Sequence, residues 1–244
     1  MHPSMRALPI VVVSLLLAAC PATTHPPTAP KPSVPVEPSA PGAAPTADLR
    51  GATIYQVSAE DSDIRIFVYR AGTLSRFGHN HVMSVAGLTG RVWIHPAFEK
   101  SGLELSFPVA QLVVDDPEAR KASGDDFPPE IPQADRDGTH SNMLRAEVLD
   151  AEHFQQITLK SAKVSGTPAA PRILMHVTIK DASHDVEIPA AVQIEGQRLT
   201  ATGEFDIKQT DFGIKPFSVG LGALQVKDEL HVKFKVVAQE KSGG

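Results

Sequence analysis

Hydrophobic and polar residues alternate with a period of two through most of the chain beyond residue 60. The pattern is clear at 173–180, 199–207 and 230–236, where apolar residues or glycine alternate mainly with charged, threonine or histidine residues. At 64–69, Ile64, Ile66 and Val68 alternate with Arg65, Phe67 and Tyr69. Successive side chains of a strand point to opposite faces of its sheet, so these segments predict strands with one apolar face. Strands of this kind are typical of antiparallel sheets.

Turn-forming residues separate several of the predicted strands. Asp181-Ala182-Ser183 predicts a hairpin between two strands, and Glu195-Gly196-Gln197 predicts the next. We therefore expect a three-stranded meander over Ile173–Ile207. Many one-sided strands and few helices favour a closed barrel or a sandwich, and a barrel leaves no exposed edge strand.

Two consecutive segments depart from the alternation. Residues 115–138 are acidic and rich in proline, which predicts a long, functional loop. Residues 139–150 place Met143, Leu144 and Val148 at helical spacing, and Thr139 is a candidate N-cap. We expect a short amphipathic helix here that packs against the sheet or closes a barrel mouth.

The N-terminal segment has the organisation of an export signal. Arg6 precedes an apolar run over residues 7–17, and small residues lead to Cys20, the single cysteine. The run is too short to span a bilayer, and a lone cysteine cannot form an internal disulfide. Leu17-Ala18-Ala19-Cys20 resembles the lipobox of bacterial lipoproteins, which implies that Cys20 becomes the lipid-bearing first residue. The alternative is an ordinary signal peptide with an incidental cysteine.

A linker follows Cys20. Residues 21–47 are mostly proline, alanine, threonine and serine, a composition that predicts an extended, mobile spacer. The predicted organisation is a signal peptide over 1–19, the anchor cysteine with its linker over 20–48, and a folded domain over 49–240. Pro21 stands after the cysteine, and the resemblance to lipoprotein sorting then implies the outer membrane, with the domain facing the periplasm.

Composition excludes some functions. The formal net charge of −5 argues against nucleic-acid binding, which favours basic surfaces. Aromatic residues make up 5% of the chain and include a single tryptophan, Trp93, which is few for base stacking or sugar binding.

Short matches in a fixed order cover almost the whole domain. They lie at 62–68, 87–92, 112–117, 142–150, 157–160, 175–189, 205–214 and 229–237. Together they resemble the YceI-like family. The resemblance implies an all-β fold, an eight-stranded antiparallel lipocalin-like barrel with one or two short helices. It also implies an elongated apolar cavity for an isoprenoid, quinone-like or other amphiphilic molecule. The chain departs from the family pattern at Gln155-Gln156, at Lys180-Asp181-Ala182 and at the polar stretch 77–81.

An eight-stranded barrel is just wide enough for side chains or one small ligand. The apolar faces of the predicted strands then line its interior. The expected lining residues are Ile64, Ile66, Val68, Val92, Leu105, Ile173, Met175, Val177, Val192, Phe205, Val232 and Phe234.

His79-Asn80-His81 is the sharpest candidate for specific chemistry. On a strand, His79 and His81 would share one face, close enough to bind one metal ion, with His140 and His184 as further candidates. The alternatives are contact with the polar head group of a ligand, and hydrogen bonding at a barrel rim. The serines have no nucleophile-elbow context, so no catalytic residue is assigned.

We therefore expect a lipid-anchored periplasmic binding protein rather than an enzyme, with no cofactor beyond its bound amphiphile. Its partners would be that ligand and, through Cys20, the membrane; a homodimer is an assembly that the sequence leaves open. Two alternatives are a metal-dependent periplasmic enzyme that uses His79 and His81, and a structural envelope lipoprotein that binds no ligand.

Overall fold

The computed structural model describes residues 49–241. The predicted signal peptide, Cys20 and the proline-rich linker lie outside the described residues. Between residues 49 and 241, no helix is both long and apolar enough to cross a membrane.

The described chain is built almost entirely of strands. They are β1 Thr53–Val57, β2 Asp63–Ala71, β3 His81–Ser84, β4 Thr89–Ile94, β5 Gly102–Pro108, β6 Val113–Val114, β7 Gln156–Thr167, β8 Ala170–Ile179, β9 Ala182–Pro189, β10 Ala191–Glu195, β11 Arg198–Lys208, β12 Ser218–Val219 and β13 Leu224–Glu240. Two α-helices, α1 Pro117–Lys121 and α2 Gln133–Met143, lie between β6 and β7. Every pairing between these strands is antiparallel. The predicted all-β antiparallel class with short helices is confirmed.

The long strand β13 organises the sheet. The hydrogen-bonded order is β6-β3-β2-β13-β1-β4-β5-β7-β8-β9, and β11 pairs with β13 on its other side. The first part of β13 faces β2, and its last residues face β1, where Tyr55 is opposite Glu240. One strand therefore joins the beginning of the domain to its end.

The sheet curls around a common interior. β9 pairs with β8, and after the single residue Ala190 the chain continues as β10, which pairs with β11. The hydrogen-bonded path itself ends at β6 and β9, so the ladders do not form a closed ring. The prediction gave eight barrel strands, whereas residues 49–241 contain thirteen strand segments. Residues 58–62 separate β1 from β2, Ala190 separates β9 from β10, and β6 and β12 have only two residues each.

The core follows the predicted alternation. On β8, Ile173, Met175, Val177 and Ile179 are buried, while the residues between them are half-buried. The main apolar cluster lies inside the curled sheet. A second, smaller cluster of Phe67, Val82, Ala119 and Phe127 joins β2 and β3 to α1 and the segment after it.

Both helices differ from the prediction, which placed a loop over 115–138 and a helix over 139–150. α1 lies within the predicted loop: the Asp116 carboxylate accepts hydrogen bonds from the N–H groups of Glu118 and Ala119, and Pro117 occupies the first turn. α2 begins after Pro132, its N-cap, and not at Thr139.

The two predicted hairpins are confirmed. Ile179 pairs with Ala182 across Lys180-Asp181, and Glu195 pairs with Arg198 across Gly196-Gln197. Gly196 has φ +58°, which suits glycine, but Lys180 also has φ +58°. At this bend, where the chain departs from the family pattern, Lys180 therefore occupies a left-handed conformation that glycine adopts more readily.

Candidate functional site

An apolar cavity occupies the interior of the curled sheet. Its volume is ≈ 160 Å³. Its walls come from β2, β4, β5, β7, β8, β9, β10, β11 and β13, and every lining residue except Ser101 is apolar. A cavity of roughly 150 Å³ lined by aliphatic and aromatic side chains stays dry and binds small hydrocarbons. The space therefore suits a hydrocarbon chain.

The predicted lining residues are brought together by the fold. All of them except Val68 line the cavity. Val68 lies on β2 opposite Leu230 of β13 and is not part of the wall. Phe98 and Pro168 also line the cavity but could not be predicted from alternation, because they lie in a 3-10 turn and a hairpin turn. Leu103 and Leu159 lie in alternating segments and could have been found from that pattern.

Much of the wall is only half-buried although it faces inward. Ile66, Val92, Phe205 and Phe234 belong to this group. Their apolar surface lacks a protein partner on the cavity side. Covering such surface stabilises a bound apolar molecule by about 25 cal/mol per Å².

The shape of the wall depends on a close approach at Gly203. A Cβ atom there would lie 2.5 Å from the Pro189 carbonyl oxygen and 2.7 Å from Phe234 Cζ. Because Gly203 has no side chain, the Phe234 ring can lie against β11, with its centroid 6.2 Å from that of Phe205. The two rings form one aromatic part of the wall.

Ser101 is the one polar side chain that the described part of the chain contributes to the lining. Its Oγ accepts a hydrogen bond from the His95 N–H at 3.0 Å. The wall thus holds no charged group that could orient a polar ligand. Selection inside the cavity must rest on the size and apolar character of the occupant.

His79 and His81 lie outside the cavity wall. His79 is exposed, and the two imidazole centroids are 6.4 Å apart. His81 Nδ1 lies 2.6 Å from Asp115 Oδ2, so one ring nitrogen already has a partner. Within the described part of the chain, no group of three or more histidine, cysteine, aspartate or glutamate residues could hold a metal ion. His140 lines an open groove by α2, and His184 lies 3.7 Å from Asp211.

Asp115 is the centre of a buried polar network that the sequence analysis missed. Its Oδ1 accepts from the Val82 N–H at 2.9 Å and from Arg120 Nη1 at 2.5 Å. Burial raises the pKa of the Asp115 carboxyl, but hydrogen bonds from His81, Val82 and Arg120 outweigh it and hold that pKa below its ordinary value. The network fixes the segment that carries the two candidate histidines.

A family model for the YceI-like domain matches residues 55–238. The chain belongs to the YceI-like family. The matched residues run from β1 to β13 and include the whole cavity wall. A comparison with curated proteins found no match to this chain.

Two solved structures have a fold similar to that of this chain. BcnA of Burkholderia cenocepacia is 16% identical, with a TM-score of 0.56 over 75% of this chain and 99% of BcnA. A polyisoprenoid binding domain from Saccharophagus degradans, described as implicated in plant cell wall breakdown, is 12% identical. Its TM-score is 0.52 over 77% of this chain and 98% of that domain.

Proposed function

We propose that this YceI-like protein is a binding protein that holds the apolar part of an amphiphilic molecule inside the curled sheet. The single observation that supports this most directly is the cavity, whose lining is apolar except for Ser101. The Saccharophagus degradans domain of the same fold is described as binding polyisoprenoids. An isoprenoid or quinone-like chain is the ligand class that we assign to this protein.

Binding, rather than catalysis, fits the chemistry of the wall. Among residues 49–241, no ionisable side chain lines the cavity, so none of these residues could act there as a general acid, a general base or a nucleophile. The buried Asp115–Arg120 network has its hydrogen bonds within the protein and lies outside the cavity lining.

We further propose that the protein works beside a membrane, anchored through lipidated Cys20 in the periplasm and on the outer membrane. The proposal rests on the sequence alone, and a membrane location suits a carrier of a lipophilic molecule. Labelling of intact cells with a radioactive fatty acid should mark the wild-type chain and leave a Cys20→Ser variant unlabelled. Equal labelling of the two chains would remove the anchor from the proposal.

The ligand is tested by extraction. The full chain with Cys20→Ser, which has no lipid at that position, is purified without detergent and extracted with organic solvent, and the extract is analysed by mass spectrometry. We expect an amphiphile with a polyisoprenoid or comparably long hydrocarbon chain, close to one molecule per protein. An extract without any such molecule, together with failure to take up added ubiquinone, would contradict the proposal.

A matched pair of variants locates the binding. Ala201 lines the cavity, whereas the next residue of β11, Thr202, is exposed. Ala201→Trp should fill the cavity and abolish uptake of ubiquinone, and Thr202→Trp should leave uptake unchanged. Equal uptake by the two folded variants would place the ligand elsewhere.

A further inference from the structure

Two loops lie side by side at the end of the sheet where β13 begins. The first covers residues 72–80 after β2, and the second covers residues 213–223 before β13. The Leu74 N–H donates to the Ala223 carbonyl at 2.7 Å, and the Val226 N–H donates to the Phe217 carbonyl at 3.0 Å. β12, within the second loop, pairs with the start of β13. The loops therefore form one continuous surface.

This surface carries exposed apolar side chains, which we name the loop-end patch: Leu74, Phe77, Phe217, Val219 and Leu221. Only two other large apolar side chains are exposed between residues 49 and 241, Val113 and Ile194. Phe77 is 67% exposed. Contiguous exposed apolar residues on a soluble fold mark a surface that contacts a partner or a membrane.

Leu221 is the extreme member of the loop-end patch. It stands at the hairpin tip between Gly220 and Gly222, and its own φ is +54°. A bulky residue rarely occupies this left-handed region. Its side chain is 110% exposed, so no packing within the domain accounts for leucine at this position.

The two loops that carry the loop-end patch contain positive charges and no carboxylate. Residues 70–81 and 213–227 contain no aspartate or glutamate, although the whole chain has a net charge of −5. They carry Arg70, Arg76, Lys215 and Lys227. Two acids flank the second loop. Asp211 lies 3.7 Å from His184, and Asp228 accepts hydrogen bonds from the Thr210 N–H and hydroxyl. The Asn80 side chain also donates to the Asp126 carbonyl, which places one acidic residue at the border.

We propose that the loop-end patch inserts into the interface of a membrane with anionic phospholipids. Apolar side chains that project from a basic surface match the two layers of such an interface, with acyl chains below and phosphate groups above. Arg76 lies over the exposed ring of Phe77, 4.8 Å from its centroid, so a cation and an aromatic ring stand together. A second copy of this chain would bring the same positive charges together, which disfavours self-association through this surface. The proposal is independent of lipidation at Cys20.

A tryptophan at the hairpin tip reports insertion directly. Trp93 is buried and its indole N–H donates to the Lys100 carbonyl, so its emission provides a constant background. The full chain with Leu221→Trp is mixed with vesicles of equal parts phosphatidylglycerol and brominated phosphatidylcholine. We expect quenching of the added fluorescence, and we expect it to disappear in vesicles of brominated phosphatidylcholine alone.

Ile194→Trp is the matched control. Ile194 is also an exposed aliphatic residue, but it pairs with Leu199, which faces Ala238 near the far end of β13. Leu224 and Ala238 are 14 residues apart on β13, a path of about 46 Å along the strand at roughly 3.3 Å per residue. Since both variants carry the same N-terminal segment, attachment through that segment affects them equally. Quenching in the control as strong as at position 221 would overturn the proposal.

Two further measurements complete the test. Arg76→Glu combined with Lys215→Glu should weaken vesicle binding of Leu221→Trp about tenfold or more, because two positive charges become negative. Phe77→Trp serves as a second reporter if Leu221→Trp does not fold. The proposal would be overturned if neither reporter were quenched. It would also be overturned if the emission shifted to the blue with rising protein concentration in the absence of vesicles, because that shift would indicate a second copy of the chain on the patch.

Discussion

Arg120 and Asp115 form a fully buried ion pair, with 2.5 Å between Nη1 and Oδ1. Arg120 also donates from Nη1 to the Asn80 carbonyl and from Nε to the Pro128 carbonyl, both at 2.7 Å. One side chain thus ties the start of β3, the turn after β6 and the segment after α1 to each other.

Arg120→Ala should strongly destabilise the domain. The substitution leaves the Asp115 carboxylate buried without its cation, and removal of one partner of a buried pair costs about 3–5 kcal/mol. The free energy of unfolding, measured by urea denaturation, tests this. Arg145→Ala is the control: its pair with Glu147 is exposed on both sides, and we expect a change within about 1 kcal/mol. Equal losses in the two variants would show that burial of the pair is unimportant.

Acidification should destabilise the wild-type protein partly through Asp115. Its pKa is lower in the folded chain than the ordinary value of about 3.9, so the native state favours the ionised carboxylate. Asp115 therefore contributes fully to the free energy of unfolding at a pH above that ordinary pKa. The contribution is lost as the pH falls through the lower pKa of the folded state. Urea midpoints between pH 5 and 2 should fall more steeply in the wild type than in Asp115→Asn. Parallel slopes in the two proteins would contradict this assignment.

Gly203→Ala should reshape the cavity. The added Cβ meets the Pro189 carbonyl and the Phe234 ring at distances that require a shift, and overpacking of this kind costs about 1–3 kcal/mol. We expect lower thermal stability and weaker uptake of ubiquinone. Gly138→Ala is the contrasting variant, because a Cβ on this exposed residue of α2 meets nothing within 4 Å. It should gain up to about 1 kcal/mol through helix propensity without any effect on uptake.

Lys180→Gly should stabilise the hairpin between β8 and β9. Lys180 has φ +58°, and this left-handed conformation lowers the free energy of unfolding by about 1–2 kcal/mol for a residue with a Cβ atom. Glycine avoids most of that cost. We expect a net gain of about 0.5–1 kcal/mol after the entropy cost of glycine in the unfolded chain. Lys180→Ala removes the same Nζ contact with the Ala146 carbonyl but keeps the strain, so it should give no gain. A gain with alanine would point to the side chain instead of the backbone.

The cavity wall could be predicted from the sequence to the extent that it is made of strands. Ile173, Met175 and Val177 alternate with polar residues, and a period of two is sufficient to assign them to one face. Phe98 was missed because a turn has no such period. Asp115 and Arg120 are close in sequence, but their burial results from the later segment around Phe127, which alternation does not describe. The start of α1 could have been found, since Asp116-Pro117 is a capping signal.

The position of β13 also has a consequence for the timing of folding. β1 and β2 form hydrogen bonds with the last strand, β13. Tyr55, for example, pairs with Glu240 and so needs almost the whole domain to be synthesised first. Contacts so distant along the chain form slowly, since a long loop must close before they contribute. Most of the polypeptide must therefore leave the ribosome before the N-terminal strands acquire their partner.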